Sequence, residues 1–278
     1  MYTAPPDRSA IKRRLLRWYV RSGRDLPWRH THDPYEVLVS EVMLQQTQVS
    51  RVLPAYTSFL ERFPTLAALA SAPLGNVLRA WSGLGYNRRA RDLHRIARAA
   101  RRGLPRDVAG LDALPGVGAY TAGAVACFAS GARVAFADTN IRRVLGRIVL
   151  GRAANEREAV AIDAELLPRE AARWHHALMD LGATVCRSRA PRCDACPVAT
   201  SCRGRGLTGE APLRRQSPFA TSDRRVRGRI VAALRERETI TIAALRDQLD
   251  DSRVGRLVSE LAREGLVARR GQRVSLPA

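Results

Sequence analysis

Lysine is almost missing from this sequence. Of 47 basic residues in 278, only Lys12 carries a side-chain amine; every other one is arginine. Arginine stays protonated and cannot act as an amine nucleophile, so such chemistry is left to Lys12 or the N-terminus. Long apolar runs are missing too. None approaches the roughly 18 residues of a membrane span, and the opening MYTAPPDRSAIKRRLLRWY has no hydrophobic signal core. A cytoplasmic protein with no membrane partner is the expectation. Strand-like alternation is absent before residue 220, which argues against a β-rich architecture for most of the chain. Acidic residues are also short, 26 against 47 basic, leaving a net charge of +21. That excess attracts polyanions and favours nucleic acid, with ribosomal contact or an anionic membrane as weaker alternatives. Arginine and alanine richness from genome composition is the bland account of the same numbers.

What is present is helical periodicity. Residues 11–20 read as a short amphipathic helix and 35–44 as a mostly apolar one. Further short helical segments follow, divided by Pro54, Pro64, Pro73, the glycines at 83–85 and Pro105. Many helices with short breaks predict an all-α domain. Residues 204–219, rich in Gly, Pro and Arg, read as a linker. Beyond it, helical patterns at 224–235, 242–249 and 252–264 precede strand candidates at 266–268 and 273–276. That order resembles a winged helix, with Arg253 and Arg256 on a segment that could face DNA. A packing or dimerisation module is the alternative.

Cysteines are few and crowded. Cys186, Cys193, Cys196 and Cys202 give C-x6-C-x2-C-x5-C, while Cys127 lies in an apolar helical run and reads as core. Disulfides are disfavoured in a reducing cytoplasm. The single short knuckle flanked by wider gaps suits a [4Fe–4S] cluster better than zinc, so a closed cluster site is expected, with Arg187, Arg189 and Arg192 carried on its loop.

The segment LPGVG can turn tightly because Gly116 and Gly118 tolerate unusual backbone angles. Leu114, Gly116, Val117 and Gly118, with the helix start that follows, leave amides free to cradle a phosphate. Such a contact positions a duplex without reading its sequence. Two carboxylates stand out elsewhere. Glu41 sits among Val, Leu and Met, where burial should raise its pKa and suit it to act as an acid. Asp138 stands at an expected helix start, where a carboxylate should stay ionised and can face a developing cation. Carboxylates tuned in opposite directions suit cleavage of a glycosidic bond. Taken singly, Glu41 could be an ordinary surface residue and Asp138 an ordinary cap.

Together these segments resemble the helix-hairpin-helix, iron–sulfur DNA glycosylases of the endonuclease III superfamily. LPWR at 26–29, SEVMLQQTQV at 40–49, GLGY at 83–86, LPGVG-x-YTAGA at 114–124, DTN-x-RRV at 138–144 and MDLGA-x-xC at 179–186 are similar to its adenine glycosylase (MutY) branch, over residues 8–203. The resemblance implies a two-lobed all-α glycosylase: a six-helix lobe at about 31–137, and a cluster lobe from 8–30 and 138–203. A linker at 204–221 and a small winged-helix-like α/β domain at 222–278 would follow. Glu41 would protonate the purine at N7 and help activate water. Asp138 would stabilise the sugar cation or bond to it, with Tyr120 beside the sugar and Asn140 bonded within the catalytic group. Gln45, Gln46 and Tyr86 would probe the duplex while the target is flipped out, and Trp28 and Arg29 would line the base pocket. Bifunctional relatives place a lysine where Tyr120 stands; a phenol forms no imine, so base removal without strand cleavage is implied. The partner would be double-stranded DNA, met by a monomer at the bacterial nucleoid.

Three departures qualify that resemblance. Residues 222–278 are too short for the Nudix-like domain that reads 8-oxoguanine in such enzymes. Trp174-His175-His176 replaces a Phe-Asn-Gln or Phe-Asn-Glu run, putting His176 where an adenine-edge contact is usual. Asn87 follows Tyr86 where a second tyrosine is common. Removal of thymine or uracil opposite guanine, or of hypoxanthine, is the first alternative activity. A redox-sensing DNA-binding regulator is a more distant one.

Overall fold

The computed structural model describes residues 7–208 and 218–278; the middle of the expected linker, 209–217, lies outside them, as do residues 1–6 of the opening segment. Asp7 starts α1 (Arg8–Ser22) by accepting from the Ser9 and Ala10 amides, which satisfies donors that a helix start leaves orphaned. A 3-10 turn, Pro27–Arg29, leads to α2 (Pro34–Leu44) and α3 (Val49–Arg62). Next come α4 (Leu66–Ser71), α5 (Leu74–Ala80), α6 (Arg88–Ala99) and α7 (Val108–Asp112). Then follow α8 (Ala119–Ser130), α9 (Thr139–Leu145), α10 (Glu156–Leu166) and α11 (Ala171–Thr184). A capping box of Asn155 and Glu158 fixes the start of α10. Among the described residues no strand occurs before residue 240, so the all-α expectation holds there. No described helix is long and apolar enough to cross a membrane.

The C-terminal segment has α12 (Asp223–Arg235), β1 (Ile240–Thr241), α13 (Ile242–Leu249), α14 (Val254–Arg263), β2 (Ala268–Arg270) and β3 (Arg273–Ser275). Val254, Leu257, Val258 and Leu261 recur at helical spacing along α14 and are all buried. The sheet order is β1-β3-β2, both pairs antiparallel, with Ile240 opposite Val274 and Arg269 opposite Val274. Strand β1 escaped the sequence because two residues carry no alternation; only pairing with β3 makes them a strand.

The described residues divide into two compact units: 7–37, 106–112 and 118–208 in the first, and 38–105, 113–117 and 218–278 in the second. In the first, α11 packs on α1 and α9, with Ile11, Leu15, Val144, Trp174, Leu178 and Leu181 at its centre. In the second, Phe59 meets Phe63 and Trp81 edge-on, at centroid distances of 5.0 and 5.8 Å, above Leu69, Leu78, Leu93 and Ile96. The C-terminal segment belongs to this core's unit. Arg235 donates to the Leu78 carbonyl (2.9 Å) and to Asn87 Oδ1 (3.0 Å), and the Gly75 amide donates to the Pro277 carbonyl (2.8 Å).

Candidate functional site

In the first unit, the chemistry gathers at the start of α9. Asp138 caps the helix, its Oδ1 accepting from the Ile141 amide at 2.7 Å and its Oδ2 from Asn140 Nδ2 at 2.9 Å. Asn140 is itself held, because its Oδ1 accepts from Arg143 Nη2 at 2.8 Å. Arg143 also donates to the carbonyls of Gly182 and Cys186, both at 2.7 Å, tying α9 to the end of α11. Gly182 permits that closeness: a Cβ there would lie 2.6 Å from Asn140 Cβ. The sequence argued for an ionised Asp138 from its helix start. Burial acts against this and raises its pKa, and the Ile141 and Asn140 hydrogen bonds only partly offset it.

Tyr120 is the second residue of α8 and meets Phe136 edge-on at 5.7 Å. Behind Phe136 lies His175, fully buried and stacked on it at 3.9 Å. Asp163 anchors this layer, taking the Trp174 indole N–H at 2.7 Å and meeting His175 Nε2 at 2.8 Å. His176 stacks on Phe128 at 4.3 Å with the rings 19° apart. Burial first, and then Arg29, lower its pKa to about 3, so at neutral pH it is an uncharged imidazole with one donor and one acceptor. Trp28 is buried. Arg29 is committed to Asp180 by two contacts of 2.8 Å, and Arg24 holds the same carboxylate at 2.7 Å.

In the second unit, Glu41 lies on α2 and is 7% exposed. Three residues of α2 later the chain turns through Gln45 and Gln46, both exposed, with Gln46 at φ 56°. Tyr86, in the loop before α6, is exposed and also left-handed at φ 47°. Such backbone is uncommon without glycine and collects at binding sites. Arg89 holds both loops. Its guanidinium, buried beneath them, donates to the carbonyls of Val42 (2.9 Å), Met43 (2.8 Å) and Gln45 (2.5 Å), and to those of Leu84 (3.2 Å) and Gly85 (3.3 Å). Burial lowers its pKa to about 10, which leaves it charged. At the hairpin, the Val117 amide donates to the Leu114 carbonyl at 3.2 Å. Gly116 holds φ 85° close to Asp92, while Gly118 stands at the start of α8 with open space at its Cβ position.

The four-cysteine loop corrects an expectation. Among the described residues no group of three or more His, Cys, Asp or Glu is arranged to hold a metal ion, so the [4Fe–4S] cluster, and the cluster loop of the expected fold, are not supported. Cys186, Cys193, Cys196 and Cys202 do line one pocket, but Val198, fully buried, lines it with them. The sulfurs have other partners: Cys186 Sγ accepts from Arg147 (3.4 Å), Cys193 Sγ from the Gly206 amide (3.3 Å), and Cys202 donates to the Arg147 carbonyl (3.5 Å). Burial pushes the Cys196 thiol up to about 11, favouring its neutral form. Spacing along the chain brought the thiols to one pocket without making them a ligand set. The loop is pinned instead by Arg147, which donates to the carbonyls of Arg187 (2.9 Å) and Ser188 (3.0 Å).

Sequence reasoning also missed Arg143, Asp180 and Arg89. One arginine among so many carries no signal; each is distinguished by what surrounds it. In the C-terminal segment, Arg253 and Arg256, offered to DNA by the sequence, are engaged by Asp251, Asp223 and Glu260.

Comparisons with known proteins agree with this architecture. The profile of the HhH-GPD superfamily base excision DNA repair proteins matches residues 39–169. The chain is 45% identical to the adenine DNA glycosylase of Mycolicibacterium smegmatis over 267 residues, 91% of each chain. It is 41% identical to the human adenine DNA glycosylase over 71% of this chain and 40% of that one. Among solved structures, a thermostable thymine-DNA glycosylase superposes with a TM-score of 0.66 at 29% identity, covering 71% of this chain and 95% of that one. A non-covalent endonuclease III–DNA complex, at 24% identity and a TM-score of 0.61, shares the fold.

Proposed function

Because this chain belongs to the HhH-GPD superfamily of base excision DNA repair proteins, within its adenine DNA glycosylases, we propose that it hydrolyses the N-glycosidic bond of an adenine mispaired with guanine or 8-oxoguanine in duplex DNA. The observation that carries this reading is Asp138 at the start of α9, a carboxylate with both oxygens engaged and its neighbour Asn140 locked by Arg143. A fixed carboxylate whose charge is poorly solvated gains most when a cation forms beside it. Asp138 stabilises the sugar cation as the bond to the base breaks. Glu41, buried on α2, delivers a proton to the purine at N7 and then takes one from water. His176, uncharged, offers one donor and one acceptor to the base edge. Tyr120 supplies no amine, so the product is an abasic site and the strand stays whole.

Gln45, Gln46 and Tyr86 probe the duplex while the nucleotide leaves the stack, and the hairpin at 114–118 positions the backbone. Similarity to a thymine-DNA glycosylase supports a second reading, removal of thymine or uracil opposite guanine. Greater identity and coverage put adenine first. A single-turnover panel decides between them: adenine opposite guanine or 8-oxoguanine, thymine or uracil opposite guanine, and hypoxanthine. Adenine release that Glu41→Gln and Asp138→Asn abolish, with duplex binding retained, is the expected result. Adenine left intact opposite both partners refutes the first reading.

A further inference from the structure

Asp163, on α10, is a fully buried carboxylate that takes no part in the chemistry proposed above. Donors from two other segments converge on it. Its Oδ1 accepts from the Trp174 indole N–H at 2.7 Å, and its Oδ2 meets His175 Nε2 at 2.8 Å and the Phe136 backbone amide at 3.2 Å. Trp174 and His175 belong to α11, whereas Phe136 lies between α8 and α9, two residues before Asp138. With His175 Nε2 as the third donor, its Nδ1 faces the Cys127 thiol of α8 at 3.6 Å as an acceptor. Burying a carboxylate is costly unless donors surround it, so these segments are held to Asp163 together.

The ring of Phe136 is as confined as its amide. His175 stacks on it at 3.9 Å, and Tyr120 and Phe128 each meet it edge-on at 5.7 Å. Gly123 lets α8 come this close: a Cβ there would lie 3.2 Å from Phe136 Cβ and Cδ1. Tyr120, Gly123 and Cys127 recur at i, i+3 and i+7, along one face of α8. Through Phe136, Asp163 therefore reaches both the Tyr120 ring and the backbone that delivers Asp138.

We propose that Asp163 is a positioning residue for base excision, which by fixing Phe136 sets where Asp138 and the Tyr120 ring stand. It acts through Phe136 and has no part in the bond breaking itself. The assignment rests on the adenine glycosylase reading above.

The test uses the full chain, with single-turnover excision and duplex Kd measured on an adenine–guanine duplex, and Tm beside them. Asp163→Asn offers one oxygen where there were two. With that oxygen on the indole, the shorter contact, its NH2 faces the Phe136 amide, donor against donor. Excision should slow on the order of 10–100-fold with Kd unchanged, since a misplacement of ~1 Å at a reacting centre costs about 100-fold. Trp174→Phe keeps both Oδ2 contacts, so it should lose Tm and keep its rate. The double variant separates positioning from support: without the indole, the amide can turn its oxygen to Phe136 and His175. Its rate should recover toward wild type although its Tm falls furthest. Gly123→Ala presses on Phe136 without touching Asp163; it should slow excision several-fold in a folded protein, and it carries the test if Asp163→Asn does not fold. Wild-type excision by folded Asp163→Asn or Gly123→Ala, or a double variant slower than both single ones, overturns the assignment while the activity stands. A wild type that releases no base from any mispaired duplex removes both the activity and the assignment.

Discussion

Gly182→Ala places one methyl against the proposed catalytic group, Asp138 and Asn140, and the geometry sets its consequence. The new Cβ would lie 2.6 Å from Asn140 Cβ and 3.1 Å from its Oδ1. Non-bonded carbons pack at about 3.5–4.0 Å, so the two helices or Asn140 must give by about 1 Å. Asn140 cannot swing aside alone, since Asp138 holds its amide nitrogen at 2.9 Å and Arg143 its oxygen at 2.8 Å. Displacing Asn140 therefore drags Asp138. A misplacement of ~1 Å at a reacting centre costs on the order of 100-fold in rate. For stability, overpacking costs about 1–3 kcal/mol, and replacing a mid-helix glycine by alanine returns ~1 kcal/mol. The net is between zero and ~2 kcal/mol, a fall in Tm of several degrees. Single-turnover excision on an adenine–guanine duplex, with Tm and duplex affinity measured beside it, separates the two effects. The expected variant is folded, binds duplex, and is about 100-fold slower. Excision at the wild-type rate by a folded Gly182→Ala would refute the coupling of α11 to Asp138 through Asn140.

Borohydride reduction during turnover should trap no adduct in the pocket, because Tyr120 has no amine; a strong adduct mapping there would contradict base removal without an imine. Asp138 has its folded-state pKa raised by burial, so ionising it costs stability that grows as pH rises through that pKa. Asp138→Asn should therefore be inactive yet gain in Tm relative to wild type as pH rises above the ordinary carboxylate value of about 4, the gain levelling off above the raised folded-state pKa; a pH-independent difference in Tm would remove this account. Wild-type excision should fall on acidification with a midpoint above the ordinary carboxylate value, measured as a rate–pH profile. Arg29→Ala leaves the buried Asp180 with Arg24 alone and should cost ~3–5 kcal/mol in denaturant unfolding, a loss that Asp180→Asn in the same chain partly recovers. A change below ~1 kcal/mol would mean the pair is as weak as a surface one.

Helices and hairpin were readable because each depends on neighbours in sequence. Apolar spacing marks α14, LPGVG permits the φ of 85° at Gly116, and Asp138 caps the helix it begins. Tyr120 in place of an amine, with Lys12 the sole lysine, likewise needed no coordinates. Contacts between distant segments needed the fold. Arg89, Arg143 and Arg147 look alike in the sequence, and only tertiary structure makes one a clamp for two loops, one the brace of Asn140 and one the pin of the cysteine loop. The same reason explains the corrected cluster: four cysteines within 17 residues line one pocket, yet among the described residues they form no group that could hold a metal ion, and burial there favours the neutral Cys196 thiol. Local pattern determined which elements form and what chemistry their side chains carry. Burial and long-range packing decided Asp138's raised pKa and the neutrality of His176, because desolvation is a property of the whole neighbourhood and not of the residue.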